Sequence, residues 1–404
     1  MSKEHTELSP AKKEPGNICE LMNRVVYLVA ACLAFGPAYP AGAGERSIVD
    51  RVAGRDFPSV FQAWSPATNV PNKDRLAVTA QHDLVWHSPR GYGLVWDAQP
   101  SGLGEAFTPN SIAAARKTRR ALLKLNPNII LIAEIRYRDA HPSFLPKGHN
   151  WWKRDTAGGL VRGWDEGGFL CLDFANPRFR RHVAKRAAAA VQSGVVDGVM
   201  LDWWRDDEHR IALVTAVREA IGDEHLIIAN TNDRTAPKTA PYINGYFMEC
   251  TLSKTAGNWE KIASTLKWAE ANLRPPRINC LETWYHNSRT DLNLMRATTA
   301  LSLTRSNGYC LFSDPNPLPT PDHRHNWYRF WDKSLGKPIG KGAKKNDGTV
   351  VREFEKGTVV YNPMGNRPVT VVFADVRTSL ATGMSAKRHR LGCPDGDIYL
   401  RVKP

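Results

Sequence analysis

The strongest constraint on this chain is an alternation. From about residue 55 to residue 315, short β-branched or aromatic runs trade places with helical patterns of 10–17 residues. Parallel strands need a crossover between them, so a strand–helix alternation of this kind marks parallel βα units. The expected strands are Ser59–Trp64, Asp83–Ser88, Ile129–Tyr137, Gly198–Trp203, Leu226–Asn230, Tyr246–Cys250, Ile278–Trp284 and Tyr309–Ser313. Eight strands close a (β/α)8 TIM barrel, and the span suits one. Thr108-Pro109 and Asn176-Pro177 open helices over Ser111–Leu125 and Arg178–Gln192 as N-cap and first-turn proline. Asn258–Asn272 and Asp291–Arg305 supply two more. A doubly wound open sheet usually carries a glycine-rich phosphate loop after its first strand, and none is present. The fold expected is α/β, a barrel followed by a small C-terminal β-sandwich.

The texture changes at Asp314. Residues 314–321 read Asp-Pro-Asn-Pro-Leu-Pro-Thr-Pro, a rigid exit, and a Trp-rich helical stretch follows at Trp327–Trp331. Beyond it, Val350–Phe354, Thr358–Tyr361, Val369–Phe373 and Ile398–Val402 read as short strands between turn residues. The domains expected are an export leader over 1–44, the barrel over 50–322, and the helical connection with its β-sandwich over 323–404.

The leader rests on Val25–Phe35, eleven apolar residues after Arg24, followed by small residues and prolines. That is the length of an export signal's core and short of the ~20 residues a spanning helix needs. Met22 is an alternative start, Ala41-Gly42-Ala43 a cleavage site, and Val29-Ala30-Ala31-Cys32 a lipoprotein-like processing site that would anchor the chain at Cys32. A secreted or periplasmic location is expected. At 42% hydrophobic residues the chain can bury a core, which excludes a largely disordered one. Seven cysteines without tight spacing form neither a disulfide framework nor a zinc pattern, and His82, His87 and His141 are scattered. No metal and no cofactor are expected.

Barrel chemistry sits at the C-terminal ends of strands. Five of the eight expected strands deliver a carboxylate there: Glu134, Asp202, Glu249, Glu282 and Asp314. The same rim collects Trp64, Trp86, Trp96, Trp203, Trp204, Trp284 and Tyr285. Flat aromatic faces suit the apolar faces of sugar rings. Cleaving a glycosidic bond takes two carboxyl groups, one to protonate the leaving oxygen and one to attack or to activate water. Asp202 and Glu249 are the expected pair, with Glu282 as a third carboxylate able to replace either or to hold a hydroxyl. Glu134 and Arg136 lie two apart on one strand face, the spacing of an ion pair. Glu134, Asn230, Asp314, Trp64, Trp96, Trp203, Trp284 and Tyr285 are candidate substrate contacts, although Asp314 also fits as the start of the proline turn. Residues 138–170 form a long connection with Trp151, Trp152 and Trp164, a candidate hairpin lid turning at Ala157-Gly158-Gly159.

Leu172-Asp173-Phe174-Ala175-Asn176-Pro177, a helix, and then Asp197-Gly198-Val199-Met200-Leu201-Asp202 resemble a run found in bacterial (β/α)8 glycoside hydrolase-like families, polygalactosaminidase-like enzymes among them. The segment Arg352–Pro363 is similar to the β-domain appended in the same hydrolases. The resemblance spans roughly residues 55–402. It implies an Asp at the end of strand four and an acidic partner on strand six, which fall on Asp202 and Glu249.

Two other functions stand beside hydrolysis. One is a carbohydrate-binding protein on the same fold without catalysis. The other is a basic polyanion binder, since 55 Lys and Arg against 40 Asp and Glu leave +15. Its basic runs include Arg116, Lys117, Arg119, Arg120 and Lys124 on one helix, and Arg178, Arg180, Arg181, Lys185 and Arg186 on another. Both helices belong to the outer ring, where such runs are ordinarily solvated faces. The expected partner is therefore a carbohydrate, with an anionic one favoured by the charge, and not a nucleic acid.

Overall fold

Eight parallel strands follow one another in chain order: β1 Phe61–Ala63, β2 Leu84–His87, β3 Ile130–Glu134, β4 Gly198–Leu201, β5 Leu226–Asn230, β6 Gly245–Cys250, β7 Cys280–Trp284 and β8 Tyr309–Asp314. Each pairs with the next, from Phe61 opposite Leu84 to Tyr309 opposite Cys280. A parallel bridge between Val60 and Cys310 joins the first strand to the last. The computed structural model describes residues 45–70, 74–250, 254–284, 289–314 and 323–402. The expected leader with Cys32 and Met22, Tyr285, and the proline run after Asp314 lie outside these residues, as does the side chain of Trp284. No helix among the described residues is long and apolar enough to cross a membrane.

Strands β3, β5 and β8 are buried at every position, because helices cover a parallel sheet on its outer side. These are α2 Arg75–Thr79, α3 Pro109–Leu125, α4 Pro177–Gln192, α5 Glu208–Ile221, α6 Ala256–Asn272 and α7 Leu292–Arg305, preceded by α1 Ile48–Gly54. The caps explain their starts. Asn176 accepts from the Arg178 amide, Asp291 from Asn293 and Leu294, and Thr255 with Asn258 forms a reciprocal capping box. Between β5 and β6 a single 3-10 turn, Ala240–Tyr242, replaces the helix.

The outer charge runs are less exposed than expected. Arg119 and Arg186 are buried. Arg119 reaches Asp197 and the Val195 carbonyl, and Arg186 donates to the carbonyls of Ser101 and Gly104. A guanidinium with five donors can cap carbonyls under a loop, so an arginine in a basic helix is not thereby a surface group.

The C-terminal part is a six-stranded antiparallel sheet. Its strands are β9 Pro338–Lys344, β10 Val350–Phe354, β11 Gly357–Asn362, β12 Val369–Ser379, β13 Ser385–Leu391 and β14 Asp395–Arg401, in the order β9-β10-β11-β14-β12-β13. It packs on α7. A Cβ at Gly396 would sit 2.2 Å from that of Ala300, so glycine allows the close approach. Beside it Arg296 holds Asp395 through both carboxylate oxygens.

Candidate active site

The ends of β4, β5 and β6 bring three polar side chains together. Asn230 ends β5, and its Nδ2 donates to Asp202 Oδ1 and to Glu249 Oε2, both at 2.8 Å. The amide's orientation is fixed from the other side, because Asn230 Oδ1 accepts the Asn232 backbone N–H at 3.2 Å. One NH2 group therefore spans the two expected carboxylates, whose bridged oxygens cannot lie farther apart than twice 2.8 Å.

Asp202 is held by its own backbone. Its Oδ1 accepts the Trp203 N–H, and the Tyr137 hydroxyl, itself anchored by Arg210 Nε, lies 2.6 Å from the Asp202 carbonyl. Trp203 then takes φ +52°, which turns two adjacent tryptophans to different uses. Trp204 is buried with its indole N–H on Thr239. Trp203 stays 48% exposed, and the Arg138 guanidinium lies 4.2 Å from its ring centre.

Asp202, Asn230, Glu249 and Trp203 line one cleft of about 120 Å3 together with Glu134 and Arg136. Its aromatic walls are Trp64, Trp86, Phe247 and Trp164, the last delivered by the long 138–170 connection. That connection forms two successive hairpins, with bridges at Arg154–Leu160 and at Arg162–Leu170. The Trp86 indole N–H is buried and meets no acceptor among the described residues. Glu134 and Arg136 form the expected ion pair, at 2.9 Å.

Burial dominates the electrostatics. It pushes Glu249 up to about 8; the charges of Asp202 and Glu282 push the same way, against His323 and the Asn230 amide. Glu134 is raised to about 7, again by burial first, with Arg136 opposing. The site thus holds a carboxyl group that keeps its proton at neutral pH beside a second carboxyl within hydrogen-bonding reach of the same amide.

Other expected residues sit elsewhere. Trp96 packs 4.0 Å from Phe107 and under the Arg186 guanidinium, and does not line the cleft. Asp314 is paired with Arg289 at 2.9 Å. Glu282 is wholly buried behind the cleft, where it accepts from the Ser313 hydroxyl and from His323. His323, which lines the cleft, has no signal in the sequence: it follows the proline run and reaches the site only through the tertiary fold. A larger cavity of about 310 Å3 between α6 and the C-terminal sheet, lined by Glu260, Arg305 and Lys344 among others, holds a single carboxylate and no such pair.

No family model matches the sequence. None of the curated proteins matches it either. Solved structures share the fold. A maltogenic alpha-amylase, AmyB from Thermotoga neapolitana, aligns with TM-score 0.51 at 11% identity over 87% of this chain and 100% of its own. An alpha-amylase from Lactobacillus plantarum gives 0.51 at 11% over 88% and 100%. A cyclic α-maltosyl-(1→6)-maltose hydrolase from Arthrobacter globiformis gives 0.50 at 12% over 87% and 100%. At such identities the likeness is one of fold.

Proposed function

We propose that this chain is a glycoside hydrolase in which Asp202 is the nucleophile and Glu249 the general acid and base. The observation that carries the reading is the Asn230 amide donating to both carboxyl groups at 2.8 Å. Retaining glycosidases keep their two carboxyl groups about 5–5.5 Å apart, whereas inverting ones leave roughly 6.5–9.5 Å for a water. The bound set by Asn230 favours retention.

The order of events follows from the geometry. A sugar ring lies on the exposed face of Trp203, with the buried Trp86 N–H free to take one of its oxygens. Glu249, which burial keeps protonated, gives its proton to the glycosidic oxygen as the C–O bond breaks and its electron pair stays with the leaving group. Asp202 attacks the anomeric carbon and forms a glycosyl ester. A water then gives its proton to Glu249 and its oxygen to the anomeric carbon, which releases Asp202.

The test is a panel of neutral, amino and acidic polysaccharides digested by the wild type beside Asp202→Asn and Glu249→Gln. Cleavage by the wild type alone is expected. Full activity in both variants, or binding without cleavage by the wild type, overturns the reading. For any glycoside cleaved, NMR of the first product formed should show retained anomeric configuration. Because Glu249 donates only when protonated, kcat/KM should fall as pH rises through about 8.

Export and an extracytoplasmic polysaccharide complete the proposal. They rest on the apolar core Val25–Phe35 and on the +15 balance, to which residues 1–24 contribute nothing. The small sheet carries part of that charge on its edge strands, at Lys341, Lys344, Lys387, Arg388 and Arg390.

A further inference from the structure

The cleft has a second carboxylate behind it, and one imidazole stands between the two. After β8 the chain returns along that strand, with His325 opposite Ser313 and Arg324 opposite Asp314. This carries residue 323 over the barrel mouth with φ +42°. The His323 ring is 5% exposed and meets Trp86 and Phe247 edge-on, each at 5.6 Å. Its Nδ1 lies 3.0 and 2.9 Å from the two oxygens of Glu282. Its Nε2 points the other way, 4.0 Å from Glu249 Oε1.

Glu282 is 0% exposed, and a buried carboxylate without a counter-charge is costly. Its hydrogen bonds among the described residues come from the Ser313 hydroxyl and His323 Nδ1, and of these two only the imidazole can carry a positive charge. We infer that Glu282 holds His323 as an imidazolium, and that this charge, aimed through Nε2 at Glu249, positions and tunes the acid of the proposed hydrolase. The inference rests on that reading of Glu249, and it makes Glu282 a support for the site in place of a catalytic group.

The tuning has a use in the first chemical step. After its proton has gone to the leaving group, Glu249 is a half-buried anion beside Asp202, and a fixed cation at 4 Å stabilises it. Without that cation the same burial would leave Glu249 too weak an acid. Among the described residues, the other charged or titratable groups facing this centre are Glu134 from β3, with Arg136 on it, and Asp202 from the end of β4. From the return segment comes His325, whose Nε2 meets His82 Nε2 at 2.9 Å and which also feels Arg289. The Glu282 carboxylate, at 2.9 Å, is nearer to the imidazole than that of Glu249 at 4.0 Å.

The decisive measurements need no substrate. In histidine-labelled wild-type protein, the 15N signals of His323, assigned by their absence from His323→Gln, should be those of an imidazolium at pH 7. The 13C carboxyl signal of Glu249, assigned by its absence from Glu249→Gln, should titrate about 1 pH unit or more higher in His323→Gln than in wild type, because a nearby cation favours the ionised acid. His323→Asn serves as the second neutral replacement if the Gln variant does not fold. With an active substrate, the alkaline limb of kcat/KM should move up by the same amount. A neutral His323 in the wild type, or an unmoved Glu249 titration, overturns the inference. Full activity of both Asp202→Asn and Glu249→Gln on a glycoside the wild type cleaves instead overturns the hydrolase reading, so the two failures are distinct.

Discussion

Asp202→Asn should lower kcat by roughly 10^4-fold or more on every glycoside the wild type cleaves, whatever the leaving group, because the amide cannot form the glycosyl ester. The substitution keeps the Trp203 N–H contact at the amide oxygen and changes little else around Asn230. Glu249→Gln should behave differently. Its loss on natural sugars is expected at ~10^2–10^4-fold, the range of general acid–base catalysis. On an aryl glycoside with an acidic phenol, which leaves without a proton, the first step should be nearly spared. The second step still needs a base, and added azide, which needs none, should restore turnover and yield a glycosyl azide of retained configuration. Equal losses for both variants on all leaving groups would mean that Glu249 is not the acid.

The fold and the strand-end positions of the candidate residues are readable in the sequence, and the omissions have physical causes. The eight strands were visible because a fully buried parallel sheet reads as short apolar runs, and their spacing by helices is local. Asp202 and Glu249 were visible because each sits where such a run stops. Helix α5 went unseen because two of its buried positions are Arg210 and Arg218, which break the apolar stripe while their guanidinium groups bond inward to Tyr137 and to the carbonyls of Tyr242 and His225. Strands β9 and β13 carry lysine and arginine where an apolar alternation would mark a strand, since they form the two edges of the small sheet and such residues blunt edges. Nothing local separates Trp203 from Trp204; a single left-handed φ does. The bridging amide of Asn230 and the imidazole of His323 depend on three and four separate elements, so they exist only in the fold.

The run Asp197-Gly198-Val199-Met200-Leu201-Asp202 holds an aspartate at each end of β4, and their substitution should have opposite consequences. Asp202 opens at the cleft, while Asp197 lies at the other end of β4, 3% exposed, bonded to Arg51, Arg119 and the Leu131 N–H. Glycine follows it because a Cβ at residue 198 would fall 2.2 Å from the Leu226 carbonyl oxygen. Asp197→Ala leaves Arg51 and Arg119, 1% and 7% exposed, facing each other with only the more exposed Glu45 carboxylate as a counter-charge. Removing one partner of a buried pair costs about 3–5 kcal/mol, so the urea midpoint should fall sharply, whereas Asp202→Asn should leave it nearly unchanged. The pH dependence supplies a second check. Burial raises the Asp197 carboxyl, but Arg119 and Arg51 together outweigh it and hold the group at about 2, below its ordinary 3.8. Its contribution is therefore complete above pH ~4 and is lost as pH falls through about 2, amounting to about 2 kcal/mol. Wild type should lose that stability on acidification and Asp197→Ala should not, so the gap between them narrows in acid. A gap that stayed constant from neutral pH down to about 2 would mean that the ion pair is not what holds this end of the barrel.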